Sequence, residues 1–158
     1  MADVTLIDVL TGARQTWATS AALLAVVPAA RLYSYGVPEG TAMPYATVFP
    51  GDVSAYFGGT EYFSGTNYVK INKISFTIYA KGEGTGAPDW SALAQEMSDV
   101  FGWTAANPAA AWVVPNAVKV VSAMPEVDDW KPTGERIDGV EIMSYKSEYS
   151  VKIQADRG

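Results

Sequence analysis

Residues 70–80 read KINKISFTIYA and form the clearest strand pattern in the chain. Ile74, Phe76 and Ile78 alternate with more polar side chains, so they point to one side of a strand. The opposite side is formed by Lys73, Ser75, Thr77 and Tyr79. This alternation is typical of a strand in an antiparallel sheet with one covered face and one solvated face.

An amphipathic helix is predicted shortly after this strand, beyond the glycine-rich residues 81–88. Asp89 is a suitable N-cap for a helix over residues 90–101, and Gly102 is suited to the C′ position that ends it. The apolar stripe of this helix consists of Trp90, Leu93, Met97 and Phe101. Such a stripe predicts packing on the covered face of the sheet.

Two helices are predicted before the strand. Asp3 is the expected cap of the first helix, and Thr19 or Ser20 is the expected cap of a short second one over residues 21–27, which Pro28 ends. The apolar stripe of the first helix consists of Leu6, Val9, Leu10, Ala13 and Trp17. Residues 21–27 are too few to span a bilayer, and the acidic residues before them do not fit a secretion signal.

Further strands complete the predicted sheet. They are expected at residues 31–35, 45–49, 118–124 and 140–153, with a polar loop at 125–139. The last strand is predicted to turn one face inward and to leave the other solvated. The inward residues are Met143, Tyr145, Tyr149, Val151 and Ile153. The fold class is therefore predicted as α+β, a single domain over residues 1–158 with two amphipathic helices on one face of an antiparallel sheet.

An aromatic segment at residues 51–67 interrupts this scheme. Its aromatic residues come in consecutive pairs, which point to both faces of a strand, and Gly58-Gly59 between the pairs predicts a hairpin tip. We expect a protruding β-hairpin arm, because a domain of this size cannot bury both faces. With one exposed aromatic from the polar loop, the candidate assembly contacts are Tyr56, Phe57, Tyr62, Phe63 and Trp130.

The composition excludes most catalytic and metal sites. The chain has no histidine and no cysteine, so catalytic triads with histidine, thiolate nucleophiles and the usual zinc sites cannot be built. The net charge of −6 and the lack of a basic cluster argue against binding to nucleic-acid phosphates. We therefore expect neither an enzyme nor a cofactor or metal, but a protein that binds or assembles.

Three local patterns leave other possibilities open. Gly82, Gly84 and Ala87 match a phosphate-binding motif, although no acidic residue follows at the distance that a ribose contact requires. A group of acidic residues, Glu126, Asp128 and Asp129, lacks the spacing of a calcium loop. A sugar-stacking platform would use Trp112, Trp130, Tyr56 and Tyr62. The simpler interpretations are a strand-to-helix connection, solvated acids, and aromatics of the core or of an interface.

The order of three segments resembles a known family. They are AALLAVV (21–27) followed by RLY (31–33), then MPYATV (43–48), and then ISFTIYA (74–80) leading through a glycine-rich loop into a helix. This order is similar to that of the tail terminator, or tail completion, proteins of long-tailed bacteriophages and gene transfer agents. The resemblance covers residues 4–104 and 140–153, and departs at residues 51–67 and 104–132.

The resemblance implies a structural virion protein without catalysis. It implies a homo-oligomeric ring, a hexamer, that caps the completed tail tube, stops its polymerisation and forms the head-joining surface. The implied partners are the tail tube protein and head–tail connector or neck proteins, with DNA only passing through the lumen and no membrane. The implied location is the head-proximal end of the virion tail, after assembly in the host cytoplasm. Alternatives are a head-completion or tail tube protein, or a carbohydrate-binding module.

Overall fold

A computed structural model of the chain describes residues 4–34, 36–50, 61–64, 67–102, 112–117 and 119–156. Three helices lie in these ranges: α1 (Leu6–Ala18), α2 (Ala21–Val26) and α3 (Trp90–Phe101), with a short 3₁₀ turn at Ala29–Arg31. The predicted stripes of α1 and α3 face the core. None of the helices in the described ranges is long and apolar enough to cross a membrane.

Side-chain caps define where the helices begin. Thr5, not Asp3 as predicted, caps α1: its hydroxyl accepts from the amide of Asp8, whose carboxylate in turn accepts from the amide of Thr5. This reciprocal pair satisfies two amides that have no partner within the helix, which explains why the helix begins there. Ser20 caps α2 and Asp89 caps α3, as predicted.

Within the described ranges six strands form one sheet, which confirms the α+β class. They are β1 (Leu32–Tyr33), β2 (Tyr45–Pro50), β3 (Glu61–Ser64), β4 (Asn67–Lys81), β5 (Lys119–Ile137) and β6 (Val140–Asp156). The order across the sheet is β1-β2-β4-β6-β5, and β3 also pairs with β4. The sheet is mixed and not wholly antiparallel as predicted, because β1 runs parallel to β2 while the other described pairs are antiparallel. The described residues 36–44 belong to the connection between these two parallel strands.

The prediction of a polar loop at residues 125–139 is wrong, because residues 125–137 continue β5. They pair with β6 as far as Ile137 opposite Val140, with two register shifts along the way. β5 lies at the edge of the sheet, where Pro125 and Pro132 are tolerated because one side of the strand needs no donor. Asp138 and Gly139, both with positive φ, close the hairpin in two residues.

Aromatic rings fill the core between the helices and the sheet. Trp17 of α1 lies 5.8 Å from Phe76 of β4, and Phe101 of α3 lies 4.4 Å from Phe76 and 5.9 Å from Tyr149 of β6, measured between ring centroids. Each of these side chains is almost completely buried. Burial of one such ring stabilises the fold by about 1.5–3 kcal/mol, so this cluster joins three elements that are distant in the chain.

Trp112 belongs to the same core, which agrees with the simpler interpretation of the aromatics and removes Trp112 from the alternative sugar platform. It is buried, and its ring meets Phe101 edge to face at 5.2 Å. Its indole N–H donates to the backbone carbonyl of Phe101 at 2.7 Å, which satisfies a free carbonyl at the end of α3. Trp17 makes the equivalent bond to the carbonyl of Val27 at 3.0 Å. Both indoles therefore anchor helix ends instead of facing solvent.

Two glycines permit close backbone contacts. A Cβ atom on Gly12 of α1 would overlap the carbonyl oxygen of Val113 and lie 3.0 Å from the Cα of Val114. Thr16 bridges the same contact, since its hydroxyl donates to the Gly12 carbonyl and accepts from the Val113 amide. Gly102 ends α3 with an ordinary negative φ, so close approach to Ser98, and not the predicted C′ geometry, requires the glycine there.

The outward face of β6 is less solvated than predicted. Ile142 is fully buried, and Ser144 and Glu148 are buried as well. Since β6 lies between β4 and β5, side chains from both neighbours cover its outward residues; Glu148, for example, lies between Ser75 and Val127. The inward residues of β6 are buried as predicted.

Candidate interaction groove

A groove opens between the start of α3 and the β5–β6 hairpin, on the helix-covered side of the sheet. Its volume is about 400 Å³, which falls within the usual range for ligand sites. Its lining residues are Gly82, Trp90, Ser91, Ala94, Asp128, Trp130 and Tyr145. We call this cavity the aromatic groove.

Two tryptophans form the walls of the aromatic groove. Trp90 is the first residue of α3 and follows the Asp89 cap, while Trp130 lies on β5 opposite Tyr145 of β6. The two ring centroids are 6.0 Å apart and the ring planes are inclined by 56°. Because Trp130 is 51% exposed, much of its ring is open to a ligand.

The indole N–H of Trp90 is buried and has no hydrogen-bond acceptor. A buried donor without a partner costs about 1–3 kcal/mol relative to one that is satisfied. This unpartnered donor belongs to a residue that lines the groove, although the N–H itself is covered in the folded chain.

The floor of the aromatic groove is a buried tyrosine beside an acid. Burial, followed by hydrogen bonding to the Asp128 carboxylate, raises the pKa of Tyr145 well above its usual value. Tyr145 therefore remains a neutral phenol at ordinary pH, beside the carboxylate of Asp128. Farther along the same strand, burial raises the pKa of Tyr149 to about 12.

A smaller depression of about 190 Å³ adjoins the aromatic groove and shares Gly82 and Trp130 with it. Its other lining residues are Glu83, Glu141 and Met143. Among the described residues that line the two cavities, each charged residue is acidic: Asp128, Glu83 and Glu141. The nearby lysines are engaged elsewhere, Lys131 with Asp129 and Lys81 with Asp138, each at 3.7 Å.

The candidate assembly contacts lie in different parts of the molecule, and two of them lie outside the described residues. Trp130 lines the aromatic groove. Tyr62 and Phe63 belong to β3, which pairs with the start of β4, while Tyr56 and Phe57, with the predicted Gly58-Gly59 tip, lie outside the described residues. The protruding arm therefore stays a prediction, and what the structure describes at this place is the antiparallel pairing of β3 with β4.

The other local patterns do not form sites. The amide of Gly82 donates to the carbonyl of Glu141 at 2.9 Å and that of Ala87 to Gly84 at 3.1 Å, so these two amides of the phosphate-like motif are engaged within the fold. Asp128 and Asp129 are neighbours on a strand and point to opposite faces, which separates their carboxylates. In the part of the chain that the structure describes, no group of three acidic residues is arranged to hold a metal ion.

Sequence reasoning found Trp130 but missed the aromatic groove around it. Trp90 and Tyr145 were predicted only as core residues, and Asp128 as part of a loop. The sequence did contain a signal for it, since Asp138-Gly139 is typical of a two-residue hairpin turn. A hairpin turn there predicts that residues 126–132 form a strand, in which Asp128 and Trp130 lie on the same face.

The chain matches no model of a known protein family. No curated protein matches it either.

Proposed function

We propose that this protein is a tail-terminator-type structural protein, which forms a ring on a completed phage tail tube, stops its polymerisation and provides the head-joining surface. The resemblance in segment order suggests this function, and the α+β class agrees with it. In this proposal the protein acts in the virion, at the head-proximal end of the tail, and catalyses no reaction.

The observation that carries the proposal is the uncovered edge strand β5. It is 19 residues long, and no further strand covers its outer edge within the described ranges. Large apolar side chains are exposed along it and at its end: Met124 at 49%, Trp130 at 51% and Ile137 at 40%. A long edge of this kind is a template for pairing with another chain, and soluble monomers usually protect it.

The opposite edge of the sheet offers a different surface. β1 pairs only with Ala46 and Thr47 of β2, so the end of β2 continues past it, and Phe49 there is 44% exposed. A contact between the β5 edge of one copy and the β2 end of the next joins two unlike surfaces. Such head-to-tail contacts close into rings when the rotation between copies is suitable.

The acidic net charge agrees with a ring through which DNA passes without being held. The chain carries a charge of −6, so copies arranged around a lumen repel phosphates. This part of the proposal requires that the lumen surface be acidic.

The test is assembly of the purified chain with and without purified tail tube protein. Native mass spectrometry and negative-stain electron microscopy are expected to show six-membered rings, free or on tube ends, and tubes that no longer elongate. Indefinite stacking of the chain itself would identify a tube subunit instead. A chain that stays monomeric with tubes at every concentration would contradict the proposal.

A matched pair of variants locates the interface. We expect the double variant Met124→Lys/Ile137→Lys to raise the concentration needed for ring formation about tenfold or more, because charges on an edge oppose pairing. The control is Ile7→Lys, which introduces lysine at a 64% exposed position on α1, outside the sheet. Circular dichroism checks that the variants fold, and equal assembly of the double variant and the control would refute β5 as the interface.

A further inference from the structure

We propose that the aromatic groove is a docking site for a basic peptide segment of a partner protein, with a lysine or arginine side chain held between Trp130 and Asp128. This proposal does not depend on ring formation. It concerns the helix-covered side of the hairpin, whereas the ring contacts proposed above use the free edge of β5; the two surfaces share Trp130.

The two indole rings suit a cation. A tryptophan face attracts an ammonium or guanidinium group that lies within about 6 Å of the ring centroid, and tryptophan is the best side chain for this interaction. Trp90 and Trp130 are 6.0 Å apart and inclined by 56°, so they form a corner and not a closed stack. A cationic head on the exposed ring of Trp130 therefore stays close to Trp90 as well.

The charges around the groove favour the same occupant. Asp128 lies on the same face of β5 as Trp130, two residues away, and Glu83 and Glu141 line the adjoining depression. A bound lysine or arginine meets acidic side chains from two directions. A neutral sugar would use the rings but not these charges, and an anion would be repelled by them.

The free donor of Trp90 favours a peptide over a small free cation. Its indole N–H has no acceptor in the folded chain. For a backbone carbonyl next to the bound cationic residue to become this acceptor, the Trp90 ring has to turn its N–H toward the groove, because that N–H is buried in the free chain. The groove volume of about 400 Å³ accommodates a long side chain together with its adjoining peptide unit.

The test uses the full chain and the peptide acetyl-Ala-Ala-Arg-Ala-Ala-amide, followed by the indole N–H resonances in ¹⁵N NMR spectra. The resonances of Trp90 and Trp130, assigned with Trp→Phe variants, are expected to shift in a saturable manner at low salt. The same peptide with citrulline in place of arginine keeps the shape and removes the charge, and is expected to bind at least fivefold more weakly.

Neighbouring acids provide a matched pair of variants. Asp128→Asn is expected to weaken binding about three- to tenfold, and Trp130→Ala about five- to tenfold. Asp129→Asn removes the same charge from the adjacent residue on the opposite face, and is expected to change the affinity less than twofold. Circular dichroism verifies that each variant is folded.

Three results would overturn the proposal. Equal binding of the arginine and citrulline peptides would show that charge is not recognised. Equal effects of Asp128→Asn and Asp129→Asn would show attraction to the overall acidic chain and not to the groove. Shifts of the Trp90 and Trp130 resonances with cellohexaose or maltohexaose, but not with the arginine peptide, would identify a sugar site instead.

Discussion

Replacement of Gly12 by alanine tests the contact that joins α1 to residues 112–117. The new methyl group would overlap the Val113 carbonyl oxygen and come within 3.0 Å of the Val114 Cα, both backbone atoms that cannot rotate away. Overpacking of this kind costs about 1–3 kcal/mol. Displacement of Val113 also weakens its hydrogen bond to Thr16, which contributes about 1 kcal/mol.

Helix propensity opposes this loss but does not cancel it. Alanine is favoured over glycine in a helix interior by about 1 kcal/mol, so the net decrease in the free energy of unfolding is about 1–3 kcal/mol. In a chain of this size, that corresponds to a fall in Tm of roughly 2–12 °C. Urea and thermal unfolding followed by circular dichroism measure both quantities.

Gly36→Ala is the matched control for this prediction. Gly36 has no neighbour within 4 Å of an added Cβ, and its φ is not positive. The same chemical change is therefore expected to be neutral or to stabilise the fold by less than about 1 kcal/mol. A Gly12→Ala protein as stable as the wild type would refute the reasoning, because residues 112–117 would then be able to move away from the new methyl group without a loss of stability.

Two further predictions concern buried polar groups. Asn72 on β4 is fully buried and its amide has no partner, so Asn72→Val is expected to raise the free energy of unfolding by about 1–2 kcal/mol in urea titrations; a loss of stability would reveal a hidden partner. Burial raises the pKa of Tyr149 to about 12, and raises that of Tyr145 further, so the folded chain holds protons that the unfolded chain releases above pH 10. Stability should be complete below pH 10 and decline as the pH rises from 10 to 12, by at most about 1.4 kcal/mol per pH unit for each group. In urea titrations at pH 9 to 11, Tyr149→Phe should make this decline shallower, and an unchanged slope would contradict the assignment.

Local patterns were sufficient for the elements that bury one face. In α1 and α3 the spacing of apolar residues predicted the helices and the faces they bury, and Asp89 predicted where α3 begins. In β4 the alternation of Ile74, Phe76 and Ile78 predicted the covered face. These predictions succeeded because an element that buries one side has apolar residues at regular spacing in the sequence.

The edge strand β5 lacks such a regular spacing of apolar residues in its second half. Residues 124–139 are almost all exposed, so neither face of this part of β5 required apolar side chains, and its prolines and charges resembled a loop. The aromatic groove could not be predicted for a related reason. It depends on the β5–β6 register, which places Trp130 opposite Tyr145, and on the packing of α3, which brings Trp90 to the same place.

The strand order has a consequence for synthesis of the chain. β6 lies between β4 and β5 and is made after both, so neither strand has its main neighbour until residues 140–156 have left the ribosome. Tyr149, which completes the ring cluster with Phe76 and Phe101, arrives with it. Until β6 is synthesised, the edges of β4 and β5 that pair with it remain unpaired. The nascent chain is therefore most prone to aggregation during this part of translation.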